Sequence, residues 1–234
     1  RPMSSTVTLD DPPVDVRLRV NPRARRLTLR LDADGAGARL TLPPGVPLSE
    51  ARMFLLRQSD WLARALARRP EPVIIGDGSR LPVAGEMVRV RCEPGRRRAP
   101  KLTDNILHVP GPAPAGPRIA AFLKARARDA LVPAAQGYAE RIGRRPAGIA
   151  LRDTVSRWGS CSAAGRLSFS WRLAMAPPEV LDYVAAHEVV HLAEMNHGLR
   201  FWALVADLVP SHQRHRAWLK EQGRALHRYR FDAT

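Results

Sequence analysis

The chain has 234 residues, 45% of them hydrophobic, enough to bury a sizeable core, and no apolar run of about 18 residues that would span a membrane. The N-terminal residues lack a signal-peptide apolar stretch, and Cys92 and Cys161 lie far apart and read as reduced thiols, so the expected compartment is the cytoplasm. A formal net charge of +16 admits nucleic acid, an acidic substrate or an anionic surface as partner, but the basic residues are nearly all Arg and spread along a chain rich in Ala and Pro, which is also the mark of a biased genome composition.

Residues 1–13 read as a flexible N-terminus and 14–110 as a β-rich region. Val14, Val16, Leu18 and Val20 alternate with Asp15, Arg17 and Arg19, and Leu27, Leu29 and Leu31 with Thr28, Arg30 and Asp32. Strict alternation of this kind predicts half-buried strands, with Asp34-Gly35 as a turn before a further strand over 38–43. One helix is expected over 49–69, capped by Ser49, favoured by Glu50 in its first turn and stopped by Pro70. Short strands follow around 73–75, 80–85 and 86–93. The Pro/Gly cluster at 109–117 marks the expected internal boundary, and 117–234 the catalytic region, the two together forming one functional unit. A helix over 117–143 starts on Pro117, and Pro133 is expected to kink or split it. Strands at 148–153 and 166–174 flank "SRWGSCSAAG". A helix over 179–195 and a last one through "HRAWLKEQGRALHRY" complete the reading.

The helix over 179–195 carries the chemistry. His187-Glu188-x-x-His191 is followed by His197, three of the seven histidines within eleven residues. On an α-helix, positions four apart are separated by about 40° and one turn, so His187 and His191 can grip one metal. Glu188 lies about 100° round from His187, where it can reach a water on the metal without ligating it. A catalytic zinc takes three protein ligands and keeps one open position. His197 lies about 15 Å beyond His187 along a straight helix, so it can join only if the helix ends between Glu194 and His197 and the chain returns. Asn196, tolerant of the left-handed conformation, and Gly198 offer that turn. The spacing is similar to the metzincin H-E-x-x-H-x-x-G-x-x-H, with Glu194 where that motif has Gly. Glu194, about 20° from His187 in projection, is the rival third ligand, but sits one turn too far along. One Zn²⁺ ion is the expected cofactor, with another divalent transition metal as the alternative. Glu188 then takes the proton of the attacking water and passes it to the leaving group.

Other stretches carry weaker signals. "RWGSCS" (157–162) reads as a tight turn between strands, with Gly159 for a positive φ and Trp158 for the core. Cys161 has no obvious activator. "LSFSWRLA" is the expected edge strand beside the metal helix, able to hold an extended substrate, and Arg172 at its end could stabilise developing charge or pair with a carboxylate. Arg157, Ser160, His212 and His215 are candidate substrate or transition-state contacts, and Arg157, Arg172, Arg200 and Arg214 are the arginines that a phosphate substrate would need near the metal. Trp61, Trp171, Trp202 and Trp218 read as core.

"RWGSCS", "SWRLA", "YVAAHEVVHL", "NHGLRFW" and "VPSHQRHRAWL" together make the chain, over roughly residues 14–225, similar to the YgjP-like metallopeptidase domain family, which is related to the SprT-like zincins. The resemblance implies an α+β fold with a zincin-like metallohydrolase core, the His-Glu helix beside a small sheet, and a β-rich N-terminal region. It implies His187, His191 and His197 as metal ligands and Glu188 as catalytic base. Val189, Ser170 and Gly198 depart from the residues usual at those positions, and the last two bear on substrate contacts. The expected function is a zinc-dependent hydrolase acting on a polypeptide. A nucleoside-triphosphate (UTP-type) pyrophosphohydrolase using the same site is the alternative. A second alternative is a non-catalytic, metal-stabilised protein that binds nucleic acid.

Overall fold

The computed structural model describes residues 6–32, 37–67, 71–95, 98–112 and 114–232. The chain divides into two compact units, 1–72 and 73–234. The turn expected at Asp34-Gly35 and the stop expected at Pro70 lie outside the described residues. No helix among the described residues is long and apolar enough to cross a membrane.

The first unit is a four-stranded sheet with two helices. β1 (Thr6–Asp10), β2 (Pro13–Val20), β3 (Thr28–Leu31) and β4 (Ala38–Leu42) stand in the order β1-β2-β4-β3. β1 falls inside the stretch expected to be a flexible N-terminus; Val7 and Leu9 bury on the sheet and tie it down. Along β2 the burial alternates as the sequence does, with Val14, Val16 and Leu18 inward. One helix was expected over 49–69, and two are found, α1 (Leu48–Arg57) and α2 (Ser59–Ala67), which place Ala51, Leu55 and Leu62 in the same core. Ser49 is not the cap: the helix begins one residue earlier, behind Pro47, whose carbonyl accepts from Ala51 N–H at 3.2 Å. Trp61 is 41% exposed rather than core.

The second unit is mixed α+β. β5 (Val73–Ile74) pairs in parallel with the C-terminal β13 (Tyr229–Arg230). β6 (Arg80–Val83), β7 (Glu86–Glu93), β8 (Lys101–Thr103) and β9 (Ile106–Pro110) form a sheet in the order β6-β7-β9-β8. Its two tight turns use left-handed residues, Ala84-Gly85 and Asp104-Asn105. The Pro/Gly stretch 109–117, expected as the domain boundary, lies within this unit. Leu107 before it and Ile119 after it share one core, so the punctuation marks a sheet-to-helix corner. α3 (Gly116–Arg141) follows and runs through Pro133 as one helix. A proline removes one backbone donor, and buried Leu123, Ala127, Leu131, Ala135 and Ala139 on either side of it hold the helix together.

α3 packs against the elements that build the site. β10 (Gly148–Arg152), β11 (Gly159–Cys161) and β12 (Arg166–Ser170) form a sheet in the order β10-β12-β11, with β10 parallel and β11 antiparallel to β12. The strand expected to reach residue 174 stops at Ser170, and Trp171–Met175 form a 3₁₀ turn that buries Trp171, Leu173 and Met175. α4 (Pro178–Val190) begins on Pro178, α5 (Leu199–Leu208) was not anticipated, and α6 (His212–Glu221) is followed by a 3₁₀ segment over Gly223–Arg228. α4 is buried nearly all round, through Val180, Leu181, Val184, Ala185, Ala186, Val189 and Val190.

Candidate metal centre

α4 ends earlier than its sequence suggests. The last regular residue is Val190, His191 still has helical dihedrals (φ −63°, ψ −15°), and the chain turns away over Leu192–Glu194. The return needs no left-handed residue. Asn196 is not among the positive-φ residues and Gly198 is extended, with φ −82°. Gly198 N–H donates to the Asn196 carbonyl at 2.8 Å, closing a tight turn that delivers His197 back to the helix face.

The outcome is a cluster of three imidazoles. One ligand-competent atom each of His187, His191 and His197 lies within 4.8 Å of the others. Nε2 of His187 and Nε2 of His197 are 3.1 Å apart. Two nitrogens bound to one tetrahedral Zn²⁺ at about 2.0–2.1 Å would be separated by roughly 3.4 Å, so this pair fits such an ion closely. The other ring nitrogens have partners. His191 Nδ1 donates to the Glu194 carbonyl at 3.1 Å, and His187 Nδ1 lies 3.4 Å from the Tyr183 hydroxyl. Bonds of this kind fix the tautomer and leave Nε2 for a metal. Burial first, then the charges of His191 and His197, push the His187 pKa down to about 3, so its lone pair is available at neutral pH. Among the described residues, Glu194 contributes its carbonyl to this geometry and its carboxylate is no member of the cluster.

Phe201 and Trp202, from the helix that follows the turn, wall the cluster. The Phe201 ring centroid is 4.9, 4.6 and 4.6 Å from those of His187, His191 and His197. Trp202 stands 5.8 Å from His187 and from His197, with the Arg216 guanidinium over its ring, 4.8 Å from the centroid. Trp202 is therefore a wall of the site and not only core. Arg216 was not singled out from the sequence, although its charge acts on both His187 and Tyr183.

Glu188 is buried beside the cluster, and burial raises its pKa to about 7 against the lowering effect of Arg157. Strand β11 lies directly on it. A Cβ placed on Gly159 would stand 2.4 Å from Glu188 Cγ and 2.6 Å from Oε1. Gly159 does not have the positive φ expected of it; what the site requires is its missing side chain, so that the backbone can approach Glu188. The strand beside α4 is also not the expected one. β12 is central, and β11 is the edge. Ser170 N–H donates to the Trp158 carbonyl at 2.8 Å and Ser162 N–H to the Arg166 carbonyl at 3.0 Å. The antiparallel alternation therefore turns the main-chain groups of Gly159 and Cys161 away from β12, toward the open edge.

These elements enclose a cleft of about 480 Å³, lined on one side by Arg157, Ser160 and Cys161 and on the other by Tyr183, Glu188 and the histidines. The remaining candidates lie elsewhere. Arg172 grips Asp153 (Nε–Oδ1 2.7 Å) and donates Nη1 to the carbonyls of Leu226 and Tyr229, so it ties the C-terminal segment to the 3₁₀ turn rather than facing the cleft. His212 is buried against Trp202 with Nδ1 3.2 Å from the Val209 carbonyl, and His215 is buried with Nε2 2.8 Å from Ser211 Oγ. His212 backs the Trp202 wall, and His215 lies behind Tyr183, its ring centroid 6.2 Å from that ring. Arg200 and Arg214 are exposed and line no part of the cleft.

No curated protein and no solved structure matches the chain. The model of the family described as YgjP-like, metallopeptidase domain, matches residues 25–222, a span that contains β11, the whole His-Glu helix and the turn that carries His197. The chain therefore belongs to the YgjP-like metallopeptidase domain family, whose name is that of metal-dependent hydrolases.

Proposed function

We propose that the protein is a zinc-dependent metallopeptidase with a zincin-like core, in which His187, His191 and His197 hold the metal and Glu188 is the catalytic base. The observation that carries this reading is the three-imidazole cluster with a buried carboxylate next to it in one cleft. The metal, when bound, lowers the pKa of a water molecule and polarises the substrate oxygen. Glu188, with a pKa near neutrality, is poised to accept the proton of the attacking water and to return it to the leaving amine. Tyr183 and the Glu194 carbonyl orient the ligand rings. The outward main-chain groups of Gly159 and Cys161 suit an extended peptide added to the β11 edge.

One observation favours the nucleotide alternative. Among the residues lining the cleft, Glu188 is the only acidic one, and Arg157 stands at the rim. A triphosphate would be welcomed by that balance. Metal-loaded wild type and Glu188→Gln, assayed on an unfolded protein with and without DNA and on nucleoside triphosphates, separate the readings. Cleavage of the protein by wild type alone is expected. Hydrolysis of UTP by wild type alone, with no proteolysis in any condition, would sink the peptidase assignment.

A further inference from the structure

The exposed face of the first unit's sheet sorts its charges by row. Side chains on a strand alternate between faces, so the residues between the buried valines and leucines share the face away from the core. The register sets Arg17 beside Arg39, and Arg39 beside Arg30. Three arginines thus stand in one row across three strands spaced about 4.8 Å apart. In the next row Arg19 stands beside Thr41. The carboxylates keep to the opposite end. Asp15 accepts the Thr8 hydroxyl at 2.7 Å, and the buried Asp32 accepts from Arg17 at 2.7 Å and Arg39 at 3.4 Å. Beyond Arg19 the chain continues through exposed Arg23, Arg25 and Arg26 into β3. From Arg17 to Arg30 there are six arginines and no acidic residue.

Like charges set opposite one another across a sheet cost stability. Asp32 offsets that repulsion for Arg17 and Arg39; toward Arg19 and Arg30, with exposed Arg26 in the bend that leads into β3, the end stays positive. No Phe, Tyr, Trp or His occurs between residues 6 and 42, so no base can stack on an aromatic ring here. What the face offers is guanidinium groups, whose planar forks match phosphate oxygens. Among the described strand residues it carries Thr, Asp and Arg, with Pro13 at the acidic end as its one apolar residue; the basic end offers no apolar side chain to insert into a bilayer, so an anionic membrane is the poorer fit. We propose that the basic end of this sheet face, centred on Arg19, Arg26 and Arg30, docks the phosphodiester backbone of nucleic acid without sequence preference. This inference does not rest on the metal site.

The test is fluorescence anisotropy of the full chain on short labelled DNA duplexes of two unrelated sequences, across a salt series. The variant R19S/R26S/R30S is compared with R128S/R144S/R145S, which removes the same charge from the second unit. Both sequences should bind alike. Each phosphate contact adds about 0.9 to the slope of log affinity against log salt, so the first variant should have a slope shallower by about 2.7 and an affinity lower by a few hundredfold, on the order of 10², at 0.1 M salt. The second should match wild type. Circular dichroism checks folding, and where the triple variant does not fold, R30S alone should reduce the slope by about 0.9. Equal losses in the two triple variants, no DNA binding by wild type at low salt, or binding to phosphatidylserine vesicles in place of DNA would each overturn the proposal.

Discussion

Replacing Gly159 with alanine adds one methyl group at the point where β11 crosses Glu188. That carbon would lie 2.4 Å from Glu188 Cγ, 2.6 Å from Oε1 and 2.7 Å from Cδ. Non-bonded carbons rest at about 3.5–4.0 Å, so the overlap exceeds about 1 Å and something must move. The strand is held on either side by the Trp158–Ser170 and Ser162–Arg166 hydrogen bonds. The carboxylate is the freer partner, and it is displaced by about the overlap. A misplacement of about 1 Å in a reacting group costs on the order of 10²-fold in rate, and overpacking costs about 1–3 kcal/mol of stability. The three atoms nearest the new methyl all belong to Glu188, so the carboxylate takes the displacement and the metal is expected to stay. The expected result for Gly159→Ala is therefore a kcat/KM about a hundredfold lower, at wild-type metal content by elemental analysis, with a melting temperature reduced by several degrees. Wild-type kcat/KM in a variant that also keeps its metal would refute the reasoning, because the close approach would then have no bearing on the carboxylate.

Glu188→Gln keeps the shape of the side chain and removes the proposed base, so it should keep metal and lose about 10²–10⁴-fold in activity, read from kinetics beside metal content. His197→Ala should lose its metal on dialysis, whereas His212→Gln and His215→Gln should retain it, since those rings pack on Trp202 and Tyr183 and belong to no part of the three-imidazole cluster. Arg172→Ala breaks an ion pair and two bonds to carbonyls, which lowers stability by about 1.5–3 kcal/mol in a denaturant titration while the folded enzyme keeps its kcat; a large fall in kcat at unchanged stability would return Arg172 to the transition state. For the metal-free protein, burial and then the Arg172 charge push His227 down to about 4 from an ordinary 6.5. Between these values the unfolded chain binds a proton that the folded chain refuses, so the contribution of His227 is full above pH 6.5 and falls as the pH drops toward 4; His187 acts in the same direction and Glu188, raised to about 7, in the opposite one. Thermal melts of wild type and His227→Gln at pH 7.5 and 5 isolate the His227 share: wild type should lose more stability, or gain less, between these values than the variant does.

The helical pairing of His187 and His191 was legible because it depends only on the 3.6-residue repeat and on local spacing. The return of His197 was legible as a requirement, since a straight helix cannot deliver it, but not as a conformation. The turn is closed by hydrogen bonds among Val190, Asn196 and their neighbours, with no left-handed residue to announce it. The alternating strands of the first unit were equally plain, because each buries one face. Three features were out of reach for one reason, that they depend on what another segment does. Pro133 is tolerated because of packing on both sides of it, β11 rather than β12 is the edge because of strand order, and Gly159 matters because of a side chain 29 residues away. The Gly in "RWGSCS" was visible, and a turn explained it well enough to hide its contact.

The same burial that readies the cluster for a metal makes the metal-free site costly. A buried imidazole cannot easily take up a proton, and a buried carboxyl cannot easily lose one, which is why His187 and Glu188 shift in opposite directions for a single cause. With His191 Nδ1 hydrogen-bonded to a carbonyl, its Nε2 is left with the lone pair, in a cluster where the Nε2 atoms of His187 and His197 are 3.1 Å apart. Lone pairs gathered in this way repel unless a cation lies between them. A dication meets both needs at once: it takes the nitrogen lone pairs, and its charge favours ionised Glu188. In the proposed mechanism, metal binding and activation of Glu188 would therefore be linked through one region of low dielectric. The stabilisation on loading follows the ratio of free metal to its dissociation constant, about 4 kcal/mol at a thousandfold excess.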